Sequence, residues 1–408
     1  MSVLTKNNYI KANALMSYTD IASADVEVLQ QTATDMGYDE FAQATNGDLL
    51  MKKTEVVGSY TYVTTFNCRT EDVSVTVTAS PKIVFADSDV KAIVANAYGS
   101  DGEITEEQAA AVTTWFSGND TSSNPFYENT KVDSFDEFGT YFTSVTAIGD
   151  SAFGGCENMQ SITLPSSLTS ISDYAFWSCC SIKRVTIPEN VTSIGNRVFD
   201  VCTLLESITI SNGVTSIGER VFNNCQNLTY ISVDSSNPYF NDGNGSNAII
   251  DNNGKLLYGG RACTVIPNTV NSIGDYAFMG RAKQTLTIPS SVTSIGTGAF
   301  YLCYNLTSLT IPASVTSIGP SAFYNCYGLT NLTISNSVTS IGRDAFSSCS
   351  KLTSITCEAT TPPTLGSDAF NYTNDCPIYV PSASLDAYKS AWSSIADRIF
   401  PITESENE

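Results

Sequence analysis

The stretch LTSLTIPASVTSIGPSAFYNC, residues 306–326, contains the pattern that decides the fold. Its first six residues, 306–311, alternate apolar and polar side chains, which predicts a short strand with Leu309 and Ile311 on its buried face. Pro312 ends this strand because proline has no backbone N–H to donate to a neighbouring strand.

The second half of the same stretch predicts a return of the chain toward the same core. Val315 and Ile318 indicate a second short strand, and Gly319 indicates a turn before the buried pair Ala322 and Phe323. A unit this short cannot enclose a core alone, so each copy has to pack against the copies before and after it.

Phenylalanine marks the repeat. The phrase recurs at a spacing of about 23 residues, with its phenylalanine at Phe153, Phe176, Phe199, Phe222, Phe278, Phe300, Phe323, Phe346 and Phe370. Self-similarity at this period is typical of a leucine-rich-repeat solenoid. The sequence therefore predicts a β-rich solenoid of about nine coils, with an α+β N-terminal region and a C-terminal cap.

Four regions follow from where the repeat begins and ends. Residues 1–81 are predicted as an N-terminal α+β attachment region, with a helix over 24–42 and strands over 60–78. The other regions are a helical cap (82–141), the solenoid (142–375) and a C-terminal cap with an acidic tail (376–408).

The solenoid is interrupted once. Phe222 and Phe278 lie 56 residues apart, which is one 23-residue repeat plus 33 further residues. The extra material includes the inserted segment 234–262, which contains the runs AIID and KLLY around Asn-Asn-Gly and predicts a hairpin projecting from the solenoid. The next unit has Arg281 and Lys283 where its siblings have Cys and Leu, so we expect its wall to be distorted or more polar.

The C-terminal cap contains an amphipathic segment. Leu385, Tyr388, Trp392 and Ile395 recur at helical spacing, which predicts a short helix that covers the last coil.

Composition excludes several functions. The net charge is −21 and the sequence pI is about 4.2, so nucleic acid and anionic membrane surfaces would be repelled. No apolar run is long enough to span a bilayer, so we expect no membrane insertion. Histidine is absent, which removes imidazole-dependent catalysis and His-containing zinc sites. We therefore expect no enzyme activity, no cofactor and no metal.

The iterated phrase resembles the BspA-like leucine-rich repeats found on surface and secreted proteins of gut and oral bacteria and of some protozoa. The resemblance covers roughly 142–402, including the AIID-type insertion and the CPIYVPS cap, while 82–112 resembles the helical cap that precedes such repeats in Bacteroides-type proteins. It implies a non-enzymatic adhesion or protein-interaction protein that binds a protein or glycan on a host or bacterial surface.

The resemblance also implies an extracellular or cell-surface location. A second function is left open: a structural virion component, such as a bacteriophage fibre or capsid-decorating protein, with homo-oligomeric or virion neighbours. It is motivated by a start at Met1 without a secretory leader, although a leader removed from this chain would explain the same start.

Cysteines recur three residues after the phenylalanine in most coils, as in Cys326 and Cys349. Residues in register stack in a solenoid, so these thiols are predicted to be free, buried and wall-filling rather than disulfide-bonded. Cys68, Cys180 and Cys263 lie outside this pattern.

An acidic loop, 97–108, can be aligned with a calcium-binding EF-hand frame that places Gly102 at the invariant turn. Of the four side-chain ligand positions, Ala97, Gly99, Asp101 and Gln108, only one is a carboxylate. We interpret the loop as a degenerate EF-hand-like turn without bound calcium.

Candidate ligand-binding residues are those that interrupt the repeat. The outward positions of the first strand are mostly Thr and Ser, which suits an exposed sheet, so larger side chains there would give a binding surface its identity. Aromatic residues of the insertion are a competing element. The predicted binding residues are Arg184, Thr186, Tyr230, Ser232, Tyr239, Phe240, Tyr258 and Asn331.

Overall fold

The computed structural model describes residues 81–263, 265–281 and 285–402, together with the backbone of four strands between residues 40 and 79. The chain forms two compact units, Met1–Val112 and Thr113–Glu408. Residues 113–141, predicted as part of the helical cap, belong to the same unit as the solenoid.

The first unit contains an antiparallel sheet of four strands in sequential order: β1 (Glu40–Gln43), β2 (Leu49–Val57), β3 (Tyr60–Asn67) and β4 (Val73–Ala79). Strands β3 and β4 correspond to the strands predicted over 60–78. The helix predicted over 24–42 ends within β1, which is extended, and its residues 24–39 lie outside the described residues.

Two helices follow in this unit: α1 (Ser88–Tyr98) and α2 (Glu106–Ala110). Helix α1 begins at Asp87, whose carboxylate accepts hydrogen bonds from the backbone N–H groups of Asp89 and Val90 at 2.7 and 3.2 Å. This cap satisfies two of the free N–H groups at the helix start. The helices occupy part of the segment for which the sequence predicts a helical cap.

The second unit is a parallel solenoid of about 11 turns. The short helix α3 (Glu137–Tyr141) lies at its beginning. One strand ladder, called here the first ladder, contains the strands of the repeated LTSLTI segment and their equivalents. Its members are β5 (Ser134–Phe135), β7 (Ser161–Ile162), β9 (Arg184–Thr186), β11 (Ser207–Ile210), β13 (Tyr230–Val233), β19 (Ser308–Thr310), β21 (Asn331–Ile334), β23 (Ser354–Cys357), β25 (Ile378–Val380) and β26 (Ile399–Pro401).

The second ladder is built from the two-residue Ser-Ile strands and their equivalents. Its members are β6 (Ala147–Ile148), β8 (Ser170–Ile171), β10 (Ser193–Ile194), β12 (Ser216–Ile217), β17 (Ser272–Ile273), β18 (Ser294–Ile295), β20 (Ser317–Ile318), β22 (Ser340–Ile341) and β24 (Thr364–Leu365). Equivalent residues pair directly, as Ile194 does with Ile217. Strands at the ends, such as β5 and β26, extend the first ladder although they lack the repeated phrase.

Stacked aromatic rings form the centre of the solenoid. Phe176 and Phe199 are parallel within 9° at a centroid distance of 5.4 Å, and Phe300 and Phe323 within 5° at 4.9 Å. Trp115 and four further phenylalanines close the N-terminal end of this stack. Burying each ring contributes about 1.5–3 kcal/mol, and only the neighbouring coils supply that burial.

The turn in each coil is not made by the glycine that the sequence suggested. Gly319 has no left-handed φ; instead, a Cβ added there would lie 2.6 Å from the carbonyl carbon of Gly296 in the adjacent coil. The left-handed residues are Ser321, at φ 52°, and Asn325, at φ 60°. Close backbone approach therefore requires the glycine, and most of the left-handed turn positions are occupied by non-glycine residues.

The cysteine prediction is confirmed. All the described cysteines are free thiols, and those of the repeat are buried. Each repeat thiol donates to a carbonyl of the preceding coil, as Cys326 Sγ does to Phe300 O at 3.1 Å. Burial raises the pKa of Cys225 and of Cys349 to about 12. Cys68 lies outside the described residues.

The insertion differs from its prediction. It forms strands β14 (Phe240–Asn241), β15 (Ala248–Asp251) and β16 (Lys255–Gly259), and β15 and β16 do form an antiparallel hairpin. The hairpin does not project, because β16 pairs in parallel with β17 and continues the second ladder. The apolar side chains of AIID and KLLY are the reason, since most of them are buried in the wall of the solenoid.

Arg281 is inside this wall rather than on it. It takes the place of a repeat cysteine, is fully buried, and its guanidinium donates to the carbonyls of Phe222 and Ala277. Lys283, predicted to share this polar wall, lies outside the described residues.

The C-terminal cap agrees with its prediction. Helix α4 (Leu385–Ala391) lies between two 3-10 helices, Ser382–Ser384 and Ser393–Arg398. Tyr388 and Trp392 are buried, and each donates from its ring polar group to a backbone carbonyl at 2.9 Å. The last apolar coil is covered in this way.

Candidate functional site

Strands β9, β11 and β13 form a three-stranded parallel sheet whose outer face brings together four of the predicted residues. Ser207 pairs with Arg184 on one side and with Tyr230 on the other, so these three side chains lie in one row. Thr186 and Ser232 lie in the parallel row of the same face. We call this surface the strand face.

The strand face presents two large side chains above a hydroxyl background. Tyr230 is 63% exposed, the most exposed aromatic side chain on any described strand of the solenoid. Arg184 is exposed, and none of the carboxylates among the described residues forms an ion pair with it. Because neighbouring strands are about 4.8 Å apart, the two side chains project roughly 10 Å from each other.

A shallow cavity of about 420 Å³ opens beside this face, between β7 and the loop after β9. Arg184 and Thr186 line one side of it, Thr163 and Ser166 the other, and Glu189 lies at its rim. The cavity offers a cation, a carboxylate and several hydroxyl groups to a ligand. This is the chemistry of polar recognition.

Asn331 does not join this site. It lies on β21, in the separate sheet β19–β21–β23–β25–β26, and its side-chain oxygen accepts a hydrogen bond from Thr353 at 3.2 Å. Its neighbours in the sheet are Ser308 and Ser354. It therefore belongs to a second, more uniform hydroxyl surface.

Of the three predicted binding residues in the insertion, Tyr239, Phe240 and Tyr258, Tyr239 alone is exposed. It is 48% exposed on a loop that Asn237 fixes: the Asn237 amide donates to Ser211 O and Val214 O and accepts from the backbone of Tyr239. Phe240 is 8% exposed and packs inward, which removes it from the binding residues.

Tyr258 is a structural residue, contrary to its prediction as a ligand contact. It is 3% exposed, its hydroxyl donates to Gly218 O at 2.7 Å and accepts from Val221 N at 3.1 Å, and its ring packs edge-on against Phe222 at 5.2 Å. Burial raises its pKa to about 12. The aromatic residue of KLLY thus takes a place in the central ring stack.

The acidic loop of the first unit is closed by its own side chains. Gln108, the twelfth position of the EF-hand frame, forms a capping box with Thr105, accepting from its N–H at 2.9 Å. Glu103 pairs with Lys91 at 2.9 Å. Among the described residues, no group of three or more His, Cys, Asp or Glu side chains could hold a metal ion.

Sequence reasoning missed four tyrosines on the lateral wall. Tyr301, Tyr304, Tyr324 and Tyr327 lie in two adjacent coils, and the doubled pattern FYxCY at 300–304 and 323–327 is the signal that could have identified them. They flank a cysteine of the wall rather than a strand, which is why a search of outward strand positions did not include them.

The fold and its repeat define a leucine-rich-repeat protein. The family model described as the BspA type leucine rich repeat region matches residues 120–246 and 263–377 in six copies, which is more than half of the chain. The protein belongs to this family.

Solved structures show the same fold. A leucine-rich repeat protein from Eubacterium ventriosum is 22% identical, covers 83% of each chain and has a TM-score of 0.50. The pneumococcal vaccine antigen PcpA is 17% identical over 89% of this chain and 99% of its own, with a TM-score of 0.52. The search of curated proteins finds no match.

None of the helices in the described part of the chain is both long and apolar enough to cross a bilayer. Leucine-rich-repeat solenoids of this family are generally non-enzymatic and take part in protein interactions.

Proposed function

We propose that this protein is a non-enzymatic adhesion protein whose strand face binds a protein on a host or bacterial cell surface, with a surface glycan as the other ligand class. It acts outside the cell or on the cell surface. The observation that carries the proposal is the exposed pair Arg184 and Tyr230, placed on either side of Ser207 in one row of a rigid sheet.

Arginine and tyrosine are the residue types that contribute most to binding energy at protein interfaces. Here both side chains start from hydrogen-bonded strands, so little backbone freedom is lost when a partner binds. Arg184 has no carboxylate partner among the described residues. We expect a carboxylate or carbonyl of the partner to pair with it, since guanidinium donates to such oxygens in a fixed geometry.

The family and one structural neighbour support this location and role. Solenoids of leucine-rich repeats commonly bind through an extended sheet surface. The neighbour PcpA is described as a vaccine antigen, a term that implies access from outside the cell. The alternative function as a virion component stays a prediction, to be tested by light scattering of the purified chain, which would show a defined oligomer.

Flow cytometry with the fluorescently labelled 408-residue protein tests the proposal. We expect saturable binding to epithelial or gut bacterial cells that is lost after the cells are treated with protease. The Arg184→Ala and Tyr230→Ala variants should each weaken binding by about tenfold, the effect of losing a hot-spot side chain. Tyr372→Ala, which removes a 79% exposed tyrosine elsewhere, is the matched control. Binding that persists unchanged in both variants would contradict the proposal.

A further inference from the structure

The four wall tyrosines form two stacked pairs. The rings of Tyr301 and Tyr324 are parallel within 8° at a centroid distance of 5.0 Å, and those of Tyr304 and Tyr327 lie within 24° at 4.7 Å. Each pair spans two neighbouring coils, so their spacing is the rise of the solenoid. We call this surface the tyrosine wall.

The two pairs are neighbours on the same wall. Burial raises the pKa of Tyr304, and the nearby hydroxyls of Tyr327 and Tyr301 raise it further. Stacked rings restrict one another's rotation, so the wall is rigid before any ligand arrives. Preorganised aromatic side chains of this kind give contact area at a low entropic cost.

The tyrosine wall ends in a step. In the next coil, the positions equivalent to Tyr324 and Tyr327 are occupied by Ser347 and Ser350, which are too small to continue the stack. Ser350 is exposed, and Tyr327 is 41% exposed. The outer face of the Tyr327 ring therefore has no tyrosine stacked on it, and we call the space beside it, where Ser350 takes the place of a tyrosine, the slot.

We propose that the tyrosine wall is a glycan-binding site for neutral polysaccharides, in which one pyranose ring stacks on the outer face of Tyr327 and occupies the slot above Ser350. This site goes beyond the proposed function, because it lies on a different surface from the strand face and does not depend on it.

The chemistry of the slot favours a sugar. A pyranose ring presents polarised C–H groups to the electron-rich face of an aromatic ring, and its hydroxyls can bond to those of serine and tyrosine. The slot residues Tyr327 and Ser350 carry no charge, and the chain as a whole has a net charge of −21, so a neutral glycan is favoured over an acidic one.

Affinity gel electrophoresis of the 408-residue protein in gels containing neutral polysaccharides, namely a β-glucan, a xylan and a galactomannan, tests this site. We expect at least one of the three to retard the protein. Tyr327→Ala should weaken the affinity by about tenfold or more, whereas Tyr327→Phe, which keeps the ring face, should stay within about threefold of the parent.

The sharpest variant is Ser350→Leu, which should cover the outer face of the Tyr327 ring without offering a new aromatic face. We expect it to abolish retardation while leaving the thermal unfolding midpoint unchanged or raised, because the leucine side chain is partly buried against the ring. Tyr230→Ala, at an exposed tyrosine on the strand face, should bind like the parent.

Two outcomes would overturn the proposal: no retardation by any of the three polysaccharides, or retardation that Ser350→Leu leaves intact. Arg184→Ala should not alter retardation. The gel experiment therefore tests the tyrosine wall independently of the cell-binding experiment that tests the strand face.

Discussion

At the scale of single residues, two side chains repair the break that the insertion makes in the stack. Tyr258 supplies a ring beside Phe222, and Arg281 supplies a donor to the Phe222 carbonyl. In regular coils a phenylalanine stacks on the ring of the preceding coil, and a cysteine donates a hydrogen bond to a carbonyl of that coil. These two side chains act here because the inserted residues 234–262 contain no Phe-x-x-Cys phrase of their own.

Removing the hydroxyl of Tyr258 should destabilise the protein. Tyr258→Phe leaves Gly218 O and Val221 N without their partner in a buried site, which costs about 1–3 kcal/mol for an unsatisfied group. Urea unfolding followed by circular dichroism measures the loss. The matched control is Tyr230→Phe, which alters an exposed hydroxyl and should change the free energy of unfolding by less than about 0.5 kcal/mol.

The buried thiols predict an alkaline loss of stability. The pKa of Cys225 rises from the ordinary 9.0 to about 12 in the folded chain, so the unfolded state loses its proton first as pH increases. The contribution of the thiol is fully present below pH 9 and falls between pH 9 and 12, by about 1.4 kcal/mol per pH unit for each such thiol.

Urea midpoints measured from about pH 9 to about pH 11, a window of roughly two units within that range, check this sign. In the Cys225→Ala variant, the loss of stability per pH unit should be smaller by the contribution of one thiol. A stability that stays constant over this window would show that the repeat cysteines do not titrate on unfolding.

At the scale of the element, each coil is shaped by two left-handed residues. One lies two positions after the glycine and the other two positions after the phenylalanine, as Ser321 and Asn325 do. Asparagine tolerates this region of φ/ψ, whereas a β-branched side chain is strained there. Val201, at φ 65°, is in this position and should therefore carry strain.

Replacing that valine should stabilise the solenoid. Val201→Asn introduces the residue that Asn224 and Asn325 provide in the same place, and should raise the free energy of unfolding by about 1 kcal/mol. The reverse substitution, Asn325→Val, should lower it by a similar amount. Thermal unfolding of the two variants measures both changes in stability. If Val201→Asn is destabilised, the packing of the valine side chain outweighs its backbone strain.

At the scale of the whole molecule, the insertion divides the second ladder. Strands β6, β8, β10 and β12 form one sheet, and the second-ladder strands after the insertion belong to another. The coils before and after the insertion are therefore held together partly by side-chain contacts rather than by a continuous second ladder. In a repeat protein, stability is a sum of coil and interface terms. A weakened interface lets one part unfold without the other.

Arg281→Cys tests this coupling, although cysteine is the residue used by the sister coils. A thiol is too short to reach Phe222 O, and losing a charged donor to this carbonyl should cost about 1.5–3 kcal/mol. We expect urea unfolding to become broader or biphasic, with a smaller m-value. Arg343→Cys changes a largely exposed arginine and should leave the transition sharp.

Much of the fold could be predicted from the sequence because the repeat imposes it. A period of 23 residues with fixed Ile, Phe and Cys places like residues on like residues, and parallel in-register stacking is the arrangement that buries them all. The candidate site was less predictable: Arg184 and Tyr230 could be recognised as interruptions, but Tyr258 interrupts the pattern in the same way and is buried.

The sequence by itself therefore determined the solenoid, its ring and thiol ladders and its C-terminal cap, since these depend on periodicity and local pattern. Only the tertiary structure decided that the insertion is part of the wall, that Tyr258 and Arg281 face inward, and that four tyrosines stack beside an open slot. The physical reason is that burial and stacking depend on which coils become neighbours across the insertion, and this follows from the packing of whole coils rather than from any single one.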